Sequence, residues 1–196
     1  MGKYLGRPSK RMVHYLARNY RLCIMVLLVI AEMIVYSAIN AEPTIEGYMH
    51  YLNDTLPRYS SDFAFIFIEN TKTSLRILLS GLIPFFAGTV FSSFSVIYSM
   101  TGGMKCFLQK LPPSIILKGT LPHGIFELLE ILLSLLLSVL ISKEVTMIII
   151  ARSQNSRTMK ERTSGIGISF SCWLFIGIPL LLLAALIETY ITPMLL

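Results

Sequence analysis

Four stretches of this chain are apolar over lengths that can cross a lipid bilayer, at about residues 22–39, 75–99, 122–151 and 166–191. A helix needs roughly 20 apolar residues to cross about 30 Å of hydrocarbon. No water is present there to pair with backbone groups, so a spanning segment must satisfy its own, as a helix does. Only 14% of the residues are charged and the mean hydropathy is +0.68, whereas soluble domains carry about 25% charged residues. The expected fold is all-α: a polytopic transmembrane helical bundle with four clear spans and a fifth irregular or re-entrant element. Residues 1–21 form a basic cytoplasmic N-terminal segment, and residues 22–196 a single transmembrane helical domain.

The charges orient the chain. Lys3, Arg7, Lys10, Arg11, Arg18 and Arg21 precede the first block with no acid among them, and Glu42, Glu46, Asp54 and Asp62 follow it. Basic segments stay on the cytoplasmic side, so the N-terminus is expected in the cytoplasm and the 41–62 loop outside, in a multi-pass protein of the plasma membrane. The apolar run exceeds the roughly 7–15 residues of a signal-peptide core, which favours a retained helix. The tyrosines and phenylalanines of 48–67 suit the outer interface. Lys105, Lys110 and Lys118 suit the cytoplasm. Arg152, Arg157, Lys160 and Arg162 form a further basic segment, a candidate contact for a partner or for anionic lipid. Four simple crossings would leave that segment outside. An additional crossing or a broken helix would repair the conflict, and residues 100–121 and the 122–151 block are the best places for it. The net charge of +6 resides in the gaps between apolar blocks, so the partner it implies is the bilayer and not nucleic acid.

Glycines and serines recur every three or four residues from Gly81 to Ser99, a spacing that lets a neighbouring backbone approach. Pro84 removes one helix hydrogen bond there. Glu127, Glu130, Ser134, Ser138 and Ser142 form a polar stripe on a Leu/Ile helix, a face that belongs in a bundle interior. Glu32 and Glu188 also lie in apolar blocks. A charge at the bilayer centre costs about 2.5–3.5 kcal/mol on insertion scales. Each carboxyl therefore needs a reason: a clamp between helices, a docked partner, or passage of an ion or substrate. His123 and Glu127 share a helical face, but a zinc site takes three or four ligands and there is no HExxH pattern. No nucleophile elbow, nucleotide loop or C-x-x-C pair is present. Cys23, Cys106 and Cys172 read as small hydrophobes. No cofactor, no metal and no enzymatic activity are expected.

Several segments resemble the stage II sporulation protein M family. They are Glu69-Asn70 followed by Thr73-Ser74, the Gly81–Gly88 spacing, Leu121-Pro122-His123-Gly124-Ile125-Phe126-Glu127-Leu128, and the closing run from Ala184 through Glu188 to Pro193. The resemblance covers about residues 63–196. It implies a small multi-span membrane protein without enzymatic chemistry that serves as a scaffold or accessory subunit in cell-wall remodelling, sporulation or bacteriocin systems. The alternative it implies is a permease-like subunit working with an ABC-type ATPase in peptide export or immunity. Asn70, Pro122, His123, Gly124, Glu127, Glu130 and Glu188 are then the functional candidates. A membrane or cytoplasmic protein partner is expected, and self-association is a further arrangement open to the chain.

Overall fold

The computed structural model describes residues 13–40, 62–110, 112–150 and 156–195, and among these residues the structure is helical with no strand. A helical turn over 13–18 leads into α1 (Tyr20–Asn40). Next come α2 (Phe63–Ser80), α3 (Ala87–Lys110) and α4 (Pro113–Ile150). The chain ends in one rod: α5 (Ser156–Cys172), a π-helical turn (Trp173–Gly177), α6 (Ile178–Leu186), a second π-helical turn (Ile187–Ile191) and α7 (Thr192–Leu195). Right-handed helical dihedrals at Cys172, Ile178, Leu186 and Thr192 carry the rod through both π turns. The first twelve residues, the 41–61 loop and Arg152 lie outside the described residues, as does the side chain of Arg157.

The span count differs from expectation. Among the described residues three helices, Tyr20–Asn40, Pro113–Ile150 and Met159–Leu195, are long and apolar enough to cross a membrane, not four. The second apolar block is divided. Asp62 caps α2 by accepting from the Ala64 N–H at 2.9 Å, and α2 carries Glu69, Lys72 and Arg76. It stops at Ser80, and α3 starts only at Ala87. Pro84 sits in the gap, where its missing N–H and fixed φ oppose helix continuation. An irregular element thus lies at 81–86, a second break falls within 100–121 where α3 ends at Lys110 and α4 begins at Pro113, and 122–150 is continuous helix. Gly102 and Gly103 lie within α3, and α4 passes straight through Pro122. At 1.5 Å per residue the 38 residues of α4 extend about 57 Å.

A broken backbone inside apolar surroundings needs donors and acceptors from elsewhere, and the polar stripe of α4 supplies them. Phe85 and Phe86 adopt φ of 58° and 61°, a left-handed conformation unfavourable for bulky residues. Their N–H groups donate to Thr146 Oγ1 at 2.6 Å and Ser142 Oγ at 2.9 Å. Ser142 Oγ in turn donates to the Ile83 carbonyl at 2.8 Å. One turn away, Ser138 Oγ lies 3.0 Å from Ser80 Oγ and 2.9 Å from Thr89 Oγ1. Gly81 is pressed against the same turn: a Cβ there would fall 2.3 Å from the Ser138 carbonyl oxygen.

These contacts fix the directions. Asn70, Ser74 and Ser80 of α2 meet Glu127, Glu130 and Ser138 in order, so α2 and α4 run together. The break turns the chain back, and α3 returns with Ile97 packed in a cluster with Ile30, Ile77 and Leu135. The final rod runs against α4, pairing Arg162 with Glu144 at one end and Thr192 with His123 at the other. Residues 15–19, the end of α4 and the start of α5 therefore share one end of the bundle. Lys105 lies at the other, its Nζ 3.4 Å from the Ile39 carbonyl, which separates it from the basic segments with which it was expected.

Gly81→Ala should destabilise the bundle by about 1–3 kcal/mol through overpacking. Gly103→Ala, where a Cβ meets nothing within 4 Å, should leave the protein unaffected or slightly stabilised. Thermal unfolding of both variants in detergent checks the contrast.

Candidate functional site

The polar stripe of α4 faces α2 on one side and the final rod on the other. At its centre Glu130 is fully buried, as are Ser134 and, nearly so, Ser74. The Ser74 hydroxyl donates to Glu130 Oε1, as does Ser134 Oγ at 2.6 Å. The indole Nε1–H of Trp173 donates to Ser74 Oγ at 2.6 Å. Three helices are thereby tied through one carboxyl oxygen. The π turn at Trp173–Gly177 contributes by placing Gly177 beside the carboxyl, where a Cβ would stand 3.2 Å from Oε1 and 3.0 Å from the Trp173 ring.

One turn toward the far end of α4, Glu127 Oε1 accepts from the Asn70 side-chain amide. His123 Nδ1 lies 3.2 Å from Thr192 Oγ1. Glu188, half-buried on the second π turn, stands within electrostatic reach of Glu127. The structure thus gathers Asn70, His123, Glu127, Glu130 and Glu188, which are far apart in sequence, at the junction of α2, α4 and the final rod. Among the described residues no group of three His, Cys, Asp or Glu side chains is arranged to hold a metal ion.

Beside this junction an apolar crevice of about 610 Å³ opens between α1, α3 and α4. Gly124 borders it, and Glu127 is the charged residue in its wall. Pro122 is half-buried within α4.

A second polar cluster holds the opposite end of the bundle. Glu144 is nearly buried and is approached by Lys143 Nζ at 3.7 Å and Arg162 Nη1 at 3.5 Å. Tyr15 donates its hydroxyl to Glu144 Oε1 at 3.4 Å, and Lys143 Nζ donates to Asn19 Oδ1 at 2.5 Å. Burial and the adjoining carboxylate push the Tyr15 phenol above its ordinary value. Gly165 permits this packing: a Cβ there would stand 3.1 Å from the Tyr15 ring. Arg162 therefore faces inward onto Glu144, whereas Lys160 is exposed. Sequence reasoning missed Tyr15, Asn19 and Glu144 as a unit. The available signal was the Lys143-Glu144 pair inside an apolar helix, which demands compensation.

Glu32 is placed differently from the other carboxyls. It is exposed, at the centre of a face of α1 formed by Leu28, Val29, Val35, Tyr36 and Ile39, which are 61%, 47%, 60%, 54% and 74% exposed.

Glu130→Ala removes the shared acceptor and leaves Ser74 and Ser134 only each other, 3.0 Å apart, so that one buried hydroxyl hydrogen is stranded beside a cavity, which should cost about 2–4 kcal/mol. Glu130→Gln keeps an acceptor oxygen and should cost less than half as much. Trp173 is the sole tryptophan, so its emission reads the junction directly. A red shift is expected for Glu130→Ala but not for Glu130→Gln.

The chain is 30% identical over 146 residues to an uncharacterized protein of Methanocaldococcus jannaschii, covering 72% of this chain and 77% of that one. No solved structure matches the chain. The model of the family described as stage II sporulation protein M matches residues 20–193, a range that holds α1, the broken 81–86 element and both sides of the Glu127–Glu188 junction. The chain is a membrane protein that belongs to the stage II sporulation protein M family.

Proposed function

We propose that this protein is a non-enzymatic integral membrane subunit that assembles with another membrane protein through α1. The observation that carries this reading is the outward face around Glu32. A carboxyl facing lipid deep within a span is costly. By helix rise, Glu32 stands about 18 Å along the axis from Tyr20 and about 12 Å from Asn40. Glu127, Glu130, Glu144 and Glu188 are buried or half-buried and Glu161 stands near the start of the last span, whereas Glu32 is exposed midway along its helix. Only 11% of the apolar window of α1 is buried, against 44% in α4. A partner helix carrying a donor opposite Glu32 would relieve the carboxyl and cover the face together. In this reading the basic end, with residues 15–21 and 152–162, is cytoplasmic, consistent with the positive-inside tendency, and the bundle resides in the plasma membrane. Partners in cell-wall remodelling, sporulation or bacteriocin systems are the ones that membership of the family suggests.

A second reading, a permease-like subunit driven by an ABC-type ATPase, is favoured by the crevice between α1, α3 and α4 with Glu127 in its wall.

Affinity purification in mild detergent from the native cell, followed by mass spectrometry, separates the two. Under the assembly reading a stoichiometric membrane partner accompanies the wild type and is lost with Glu32→Leu, while the thermal stability of the isolated chain is unchanged. Glu127→Gln keeps that partner. Retention of every partner by Glu32→Leu would sink the assembly reading. An accompanying ATPase whose coupled activity fails with Glu127→Gln would establish the permease reading.

A further inference from the structure

The end of the bundle held by Glu144 also carries a recess of about 520 Å³ that the helix clamps leave unfilled. Its wall brings together three cations from two elements, Arg18 and Arg21 beside the start of α1 and Lys143 from α4. Among the described residues neither arginine is paired with a carboxylate. Arg21 is held by its neighbour: its Nε donates to the Tyr20 hydroxyl at 3.0 Å, and the guanidinium carbon stands 5.7 Å from that ring centroid. Lys143 is anchored by Asn19 and approached by Glu144, but Glu144 is also engaged by Arg162 and Tyr15. Among the described residues no acid lines the recess. Its remaining wall is Asn19, Tyr20, Leu22 and Phe86, so the basic mouth adjoins an apolar side at Leu22 and Phe86.

We infer that this recess binds the phosphate headgroup of an anionic phospholipid, with Arg18, Arg21 and Lys143 around the phosphate and Phe86 and Leu22 against the upper acyl chain. The position matches the ligand. The recess lies where the apolar run of α1 begins, beside the exposed Tyr20, an aromatic of the kind that settles at a membrane interface. Clustered basic residues beside a span attract anionic headgroups, and pockets of this kind between helices hold them specifically. A neutral lipid would leave the cluster without a counter-charge, and a soluble anion would leave the Phe86 and Leu22 wall bare. Phe86 reaches the recess because its left-handed backbone is fixed by Ser142, so the broken element shapes one wall of the site.

Native mass spectrometry of the full chain in detergent tests this with phosphatidylglycerol and phosphatidylcholine of matched acyl chains. The wild type is expected to retain phosphatidylglycerol preferentially. Arg18→Gln and Arg21→Gln, both at exposed positions, should each weaken that retention roughly fivefold, with unchanged thermal unfolding. Lys160→Gln, an exposed cation outside the recess, should leave it within about twofold. Equal retention of the two lipids, or undiminished retention in the doubly substituted protein, would overturn the inference. Displacement of the lipid by inorganic phosphate at comparable concentration would overturn it in favour of a soluble anion.

Discussion

Backbone groups that leave a helix inside hydrocarbon must find partners within the protein, and this requirement organises the bundle around α4. The break at 81–86 presents free N–H and carbonyl groups, and Ser142 and Thr146 meet them directly. The same stripe, continued through Ser138, Ser134 and Glu130, then locks α2, α3 and Trp173. Each hydroxyl lies four residues from the next, so a single helical face does all of this. Without that face the chain could not turn back between α2 and α3, and the basic segment after α4 would fall at the opposite end from residues 15–21.

Much of this was legible before the structure was seen. The spacing of Glu127, Glu130 and the serines marks an inward face, and the PHGxxE run and the closing Glu188–Pro193 run both carry the family resemblance. His123 against Thr192 and Glu188 near Glu127 now join them physically. The interruption at Pro112-Pro113 does separate α3 from α4, but the break at 81–86 was not among the expected places, for a physical reason. Gly102-Gly103 and Pro122 are strong helix-breaking signals in water, yet Gly and Pro are more common in membrane helices than in soluble ones. Both are carried inside α3 and α4. The decisive signal at 81–86 was distributed: Pro84 near Gly81 marks the gap, but only the run of Ser and Thr on a different helix, some sixty positions away, makes it tenable. A pattern read one block at a time does not expose such a pairing. Nor could periodicity show that Lys143-Glu144 recruits Tyr15 and Arg162, because one lies 129 residues before Glu144 and the other 18 residues after it, each on a different helical segment.

The carboxyls divide by environment. Glu130 takes two hydroxyl donors on Oε1 and serves as a clamp. Glu127 is partly held by Asn70 and partly turned to an apolar crevice. Glu144 is compensated by cations at the bundle end. Glu32 faces out. Composition treats these as equivalent acids in an apolar chain, and packing gives each a different neighbour and hence a different role.

Pro122 gives α4 an unequal construction. From Glu127 onward the helix is cross-tied at almost every turn, whereas the arm from Pro113 to Leu121 forms a wall of the crevice and carries few ties. A proline withholds the hydrogen bond that would join its turn to the preceding one, so the seam between these two portions coincides with a missing rung. The longest of the described helices thus joins a cross-tied post to a sparsely tied arm, and it is the arm that walls the crevice, with the His123–Thr192 contact at its base.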